Sequence, residues 1–75
     1  MNEIRDVKLL KALGTRFKEL REQSGLSNRE FADYAGIGHA QIHRIDTGQV
    51  NVSISTLSAI AKVLGISLSD LLRDL

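Results

Sequence analysis

The sequence predicts an all-α domain of five helices, and three observations carry that expectation. Gly25, Gly36, Gly48 and Gly65 each close an apolar periodic run, and glycine is favoured just beyond a helix end because it takes the left-handed conformation without a side-chain penalty. Serine–acid pairs stand where new helices should begin: Ser27 with Glu30 reads as a capping box, and Ser67 with Asp70 as a carboxylate version of it. No β-branched run alternates with period two over a useful length.

The first helix is expected over about residues 4–24, with Leu10, Leu13, Phe17 and Leu20 on one face. Gly14 interrupts it at about 1 kcal/mol relative to alanine. It reads as the junction between an N-terminal helical extension, residues 1–12, and a domain proper over 13–75. The second helix, 28–35, opens on the capping box, and the third, 39–47, stops before Gly48. The fourth, 54–64, is capped by Ser53 or Ser55 and sets Leu57, Ile60, Ala61 and Leu64 on one face; the fifth covers 68–74. There is no internal repeat, low-complexity tract or linker, so one bundle is expected.

Seventy-five residues suit a single domain. A chain 43% hydrophobic and 25% charged has globular rather than disordered composition. The absence of cysteine excludes disulfides, thiolate metal sites and cysteine nucleophiles. Residues 1–6 carry charges where a secretory signal needs an apolar run. No stretch approaches the roughly 20 apolar residues of a membrane span. A cytoplasmic protein with no membrane partner is therefore expected. Ser53, Ser55, Ser58, Ser67 and Ser69 read as caps and surface residues, and no glycine-rich phosphate loop is present. No catalytic residue, no enzyme activity and no cofactor are expected.

The formal charge of +1 is unevenly spread. Residues 1–25 hold six Lys/Arg against four Asp/Glu, a balance of +2. Residues 28–52 hold only Arg29 and Arg44 against Glu30, Asp33 and Asp46, a balance of −1, and residues 53–75 balance at zero. A strongly basic nucleic-acid footprint is absent.

Residues 28–47 nevertheless hold the strongest functional signal. Ala32 is small enough to let two helices cross closely, Gly36 four residues later suits a sharp turn, and Ile42 and Ile45 would anchor the next helix on the core. This is the spacing of a helix-turn-helix. At about 100° per residue, Ala40, His43, Arg44 and Thr47 lie opposite the isoleucines, with His39 and Gln41 on the flanks. Short, amide and guanidinium side chains are those that read base edges: Arg pairs bidentately with guanine, Gln with adenine, and Ala or Thr touches the thymine methyl. His39 and His43 also have a zinc-compatible spacing. A zinc-protease signature needs Glu at position 40, where this chain has Ala40, and two ligands fall short of a four-coordinate site, so no metal is expected.

These residues resemble the Cro/C1-type (XRE) helix-turn-helix domain of phage repressors and many bacterial regulators. The matching strings are Arg21-Glu-Gln-Ser-Gly25-Leu-Ser, Glu30-Phe-Ala32, Gly36-Ile, Ile42-His-Arg-Ile45-Asp-Thr-Gly48 and Leu57…Ala61-Lys-Val-Leu64-Gly-Ile-Ser-Leu-Ser-Asp-Leu71. The resemblance runs from Leu13 to Leu72. It implies a compact five-helix bundle of the phage-repressor type, with the motif at helices 2 and 3 and an N-terminally extended helix 1. It further implies that about residues 38–47 enter the major groove of double-stranded DNA, with His39, Ala40, Gln41, His43 and Arg44 at or beside the bases. Asn28, Thr47, Gln49 and Asn51 match positions that lie on the sugar-phosphate backbone, and Arg21 and Asp46 match a structural ion pair.

Leu68, Leu71, Leu72 and Leu75 form more apolar surface than so short a helix needs, and Val7, Leu9 and Leu10 offer a second patch. Because relatives pair through the C-terminal helix, the resemblance implies a homodimer on a pseudo-palindromic operator. Either leucine group could supply the contact. The alternative is an antitoxin-like or adaptor module whose main partner is a protein, which the acidic balance of residues 28–52 favours.

Overall fold

The computed structural model describes residues 4–75. Those residues form five helices and no strand: α1 (Val7–Ser24), α2 (Asn28–Ala35), α3 (His39–Asp46), α4 (Ile54–Leu64) and α5 (Leu68–Leu71). The all-α expectation holds, and α2 and α4 span the residues their caps and glycines indicated.

The caps explain those bounds. The Ser27 hydroxyl accepts the Glu30 amide at 3.1 Å while the Glu30 carboxylate accepts the Ser27 amide at 3.0 Å. Of the two serines ahead of α4, Ser53 is the cap and accepts the Thr56 amide at 3.1 Å. The box at α5 is one-sided: Ser67 accepts the Asp70 amide, but the Asp70 carboxylate turns to Arg73.

Both ends of the chain depart from the sequence reading. α1 begins at Val7 rather than residue 4, because the Asp6 carboxylate caps it by accepting the Leu9 amide at 3.0 Å. Ile4 and Arg5 instead dock on the loop between α3 and α4. The Asn51 side-chain amide donates to the Ile4 carbonyl at 3.0 Å, and the Arg5 guanidinium donates to the Gln49 carbonyl. Residues 1–3 of the expected extension lie outside the described residues. α5 ends at Leu71 rather than 74. Arg16, from α1, donates to the Leu71 carbonyl at 2.9 Å and to the Asp70 carbonyl at 2.6 Å. Those are the orphan acceptors of a helix end, and beyond them the backbone tightens into turns closed by Arg73 and Leu75 amides.

Phe17, Phe31, Ile42, Ile45, Ile60 and Leu71 are fully buried, at least one from every helix. Each contributes about 1.5–3 kcal/mol by leaving water. The Phe17 and Phe31 rings meet edge-on, 5.3 Å apart with 64° between planes. Leu71 therefore belongs to the chain's own core and offers nothing to a partner, which corrects its place among the dimer candidates. Leu68 and Leu72 are half-buried and Leu75 is 39% exposed.

α1 runs unbroken through Gly14 and lies mainly against α3. A Cβ at Gly14 would sit 2.4 Å from the carbonyl oxygens of both Ile45 and Asp46. The missing side chain is what lets the two backbones touch there.

Candidate nucleic-acid interface

The turn between α2 and α3 is three residues long. Gly36 takes the left-handed conformation (φ 72°), and the Ile37 amide reaches back to the Ala32 carbonyl at 3.1 Å. Together with the Gly36 amide on Asp33 O, this closes the orphan carbonyls at the end of α2. Ile37 packs on the core, and Ala32 is 2% exposed where α2 meets its neighbours. Gly38 then opens α3 without a side-chain cap hydrogen bond.

Ile42 and Ile45 turn inward, each 1% exposed. Of the five residues assigned to base reading, His39, Ala40, His43 and Arg44 are exposed, while Gln41 is half-buried. Among the described residues nothing covers that face of α3.

One guanidinium fixes how α3 is presented. Arg21, at the end of α1, is 3% exposed. It donates to both Asp46 carboxylate oxygens, at 2.8 and 2.6 Å, and its third contact runs from Nε to the Asn28 side-chain oxygen at 2.8 Å. Its Cζ also lies 4.6 Å from the Phe17 ring centroid. Such a fork-shaped cation, hydrogen-bonded on both edges and laid on an aromatic face, suits a buried setting in a way lysine does not. The end of α1, the start of α2 and the end of α3 thus meet at a single side chain.

The four residues assigned to the sugar-phosphate backbone are in different states. Phosphate offers only acceptors, so each must present an N–H or O–H. Asn28 is exposed and its oxygen is held by Arg21, which turns its amide donors away from that contact. The Thr47 hydroxyl donates to the His43 carbonyl at 2.9 Å and must swing from it to reach a phosphate. Gln49 is exposed, with its backbone carbonyl taken by Arg5. The Asn51 amide already donates to Ile4.

Sequence reasoning missed two contributors to this geometry: Arg5 and the contact made by Gly14. Only Gly14 left a local signal, as an interruption in a helical pattern. The Glu30 carboxyl is held below its ordinary range, chiefly by the Ser27 backbone amide and then by the Ser27 hydroxyl, slightly opposed by desolvation. Among the described residues no group of three or more His, Cys, Asp or Glu could hold a metal ion, and no helix is long and apolar enough to cross a membrane.

A helix-turn-helix family model matches residues 17–71. The HTH-type transcriptional regulator PuuR of Escherichia coli (strain K12) is 41% identical over 63 residues. That match covers 84% of this chain but only 34% of PuuR, so the chain spans about a third of that relative's length. The control protein C.MunI from Mycoplasma sp is 35% identical over 71 residues, covering 93% of both chains. Among solved structures, the restriction-modification controller protein C.AhdI from Aeromonas hydrophila superimposes with a TM-score of 0.79 at 32% identity, over 83% of this chain and 94% of that one. With the Ala32–Gly36 turn and the isoleucine-backed third helix in place, these matches make the chain a member of the Cro/C1-type helix-turn-helix family.

Proposed function

We propose that the chain is a transcriptional regulator that binds double-stranded DNA sequence-specifically, with α3 in the major groove. The uncovered face of α3 carries this reading: His39, Ala40, His43 and Arg44 stand in solvent directly behind two buried isoleucines. A major groove about 12 Å wide admits one helix, and the uncapped start of α3 can point amides toward DNA. Membership of a family whose relatives are named as regulators supports the same reading. Base reading is assigned to His39, Ala40, Gln41, His43 and Arg44, and backbone contact first to Asn28 and Gln49.

A two-fold dimer would set two such helices about 34–36 Å apart on a pseudo-palindrome. Its contact would use Leu75 with the half-buried Leu72, which line a groove of about 380 Å³ together with Leu9 and Val52. Both leucine groups of the sequence reading therefore adjoin one surface. Sedimentation that stays monomeric both free and on the selected duplex would remove the dimer.

The deciding experiment is selection of bound sequences from a random duplex pool by the full chain. Enrichment of one motif is expected. A flat pool would instead favour the adaptor reading, whose own support is the exposed pair Tyr34 and Ile54, 71% and 66% accessible, around one groove between α2 and α4.

A further inference from the structure

The helix-turn-helix segment lacks the charge that nucleic-acid backbone binding usually relies on: residues 28–52 sum to −1, while residues 1–25 sum to +2. The fold brings the two together. Ile4 and Arg5 are hydrogen-bonded to Asn51 and Gln49 in the α3–α4 loop. One turn into α1, Lys11 crosses the same loop. Gly48 sits under its stem with φ 71°, and a Cβ there would lie 2.8 Å from Lys11 Cγ and 2.9 Å from the Lys11 backbone nitrogen. Arg5 and Lys11 are both exposed, and among the described residues neither is in an ion pair. Lys8 is placed differently, lining a groove with Asp6 and Asp74.

We propose that Arg5 and Lys11 form a second, sequence-independent phosphate-binding point, held beside the α3–α4 loop by the docked N-terminal arm. The inference rests on the DNA-binding reading above. Its ligand is the phosphodiester backbone of double-stranded DNA flanking the groove that α3 enters. A guanidinium presents five N–H donors, so the contact with the Gln49 carbonyl leaves donors for a forked grip on a phosphate. Lys11 adds a point charge on a flexible stem. The loop itself supplies polar groups but no cation between Thr47 and Asn51, and the arm supplies that missing charge.

The test measures affinity against salt by fluorescence anisotropy on two duplexes, the selected sequence and a random-sequence duplex of equal length. The slope of log K against log salt steepens by about 0.9 for each phosphate neutralised. Arg5→Gln and Lys11→Gln are each expected to flatten the slope by about 0.9, and the double variant by about 1.8, on both duplexes. Arg5→Lys is expected to restore most of the single loss. Slopes equal to the parent's in the double variant would overturn the proposal. So would a change confined to the selected duplex, or a loss that Arg5→Lys does not restore, which would trace to undocking of the arm. A parent chain that binds neither duplex would instead bring down the DNA-binding reading, and this proposal with it.

Discussion

Arg21 and Asp46 face each other through two hydrogen bonds, and the carboxylate has no other cation among the described residues to neutralise it. Removing one member leaves a buried charge whose desolvation nothing offsets. Asp46→Ala is expected to destabilise the fold by about 3–5 kcal/mol, measured as a lower urea midpoint with an unchanged slope. An unaltered midpoint would show that the pair is dispensable.

Gly14→Ala sets two effects against each other. Alanine favours a helix interior by about 1 kcal/mol, but its methyl would meet two backbone carbonyls that cannot rotate away. Overpacking of this kind costs about 1–3 kcal/mol, and the contact at 2.4 Å argues for the upper end. A net loss in thermal stability is expected. At Gly38, by contrast, nothing lies within 4 Å of an added Cβ and the backbone is ordinary (φ −69°). Gly38→Ser is expected to gain a few tenths of a kcal/mol as a cap.

Glu30 gives the molecule a defined acid response. Its folded pKa lies below the unfolded one, so its contribution is present above the ordinary carboxylate range and is lost as pH falls through the folded value. Thermal scans from pH 7 down to pH 3 are expected to show a smaller decline for Glu30→Gln than for the parent. Parallel curves would mean the capping box adds nothing dependent on charge.

Arg44 and Asn28 separate reading from positioning. Arg44→Ala is expected to weaken binding to the selected duplex by about 1–3 kcal/mol and relax preference at one base pair. Asn28→Ala is expected to weaken all duplexes nearly alike. Because it also removes the acceptor of Arg21 Nε, it should lower stability by about 1–3 kcal/mol. Repeating the duplex selection with each variant, alongside its melting curve, distinguishes the two behaviours.

What the sequence made legible was local. Ser27, Ser53 and Ser67 bond amides three residues away, and Ile42 and Ile45 lie one turn apart on one helix, so short-range spacing locates both the helices and the exposed face. What it left hidden joins distant parts of the chain. The docking of the chain ahead of α1 depends on Ile4 finding Asn51, the end of α5 on Arg16 reaching Leu71, and the burial of Leu71 on the packing of α5 against the core. The start of α1 is the exception, a local Asp6 cap that sequence reasoning passed over. Spacing placed Leu71 on an apolar stripe but carried no information about which body the stripe would meet. The states of Thr47 and Asn51 were illegible for the same reason: side-chain type shows that a donor exists, whereas its availability depends on a neighbour 4 or 47 positions away.

The single guanidinium shared by Asn28 and Asp46 also acts as a gauge. By joining the entry of one motif helix to the exit of the other, it fixes the span between the two points at which the protein would straddle a groove. On the DNA-binding reading, a span tied in this way would yield less readily than the duplex, and a mismatch in width would fall on the DNA. Sequences that bend or narrow cheaply would then be preferred even at base pairs no side chain reaches.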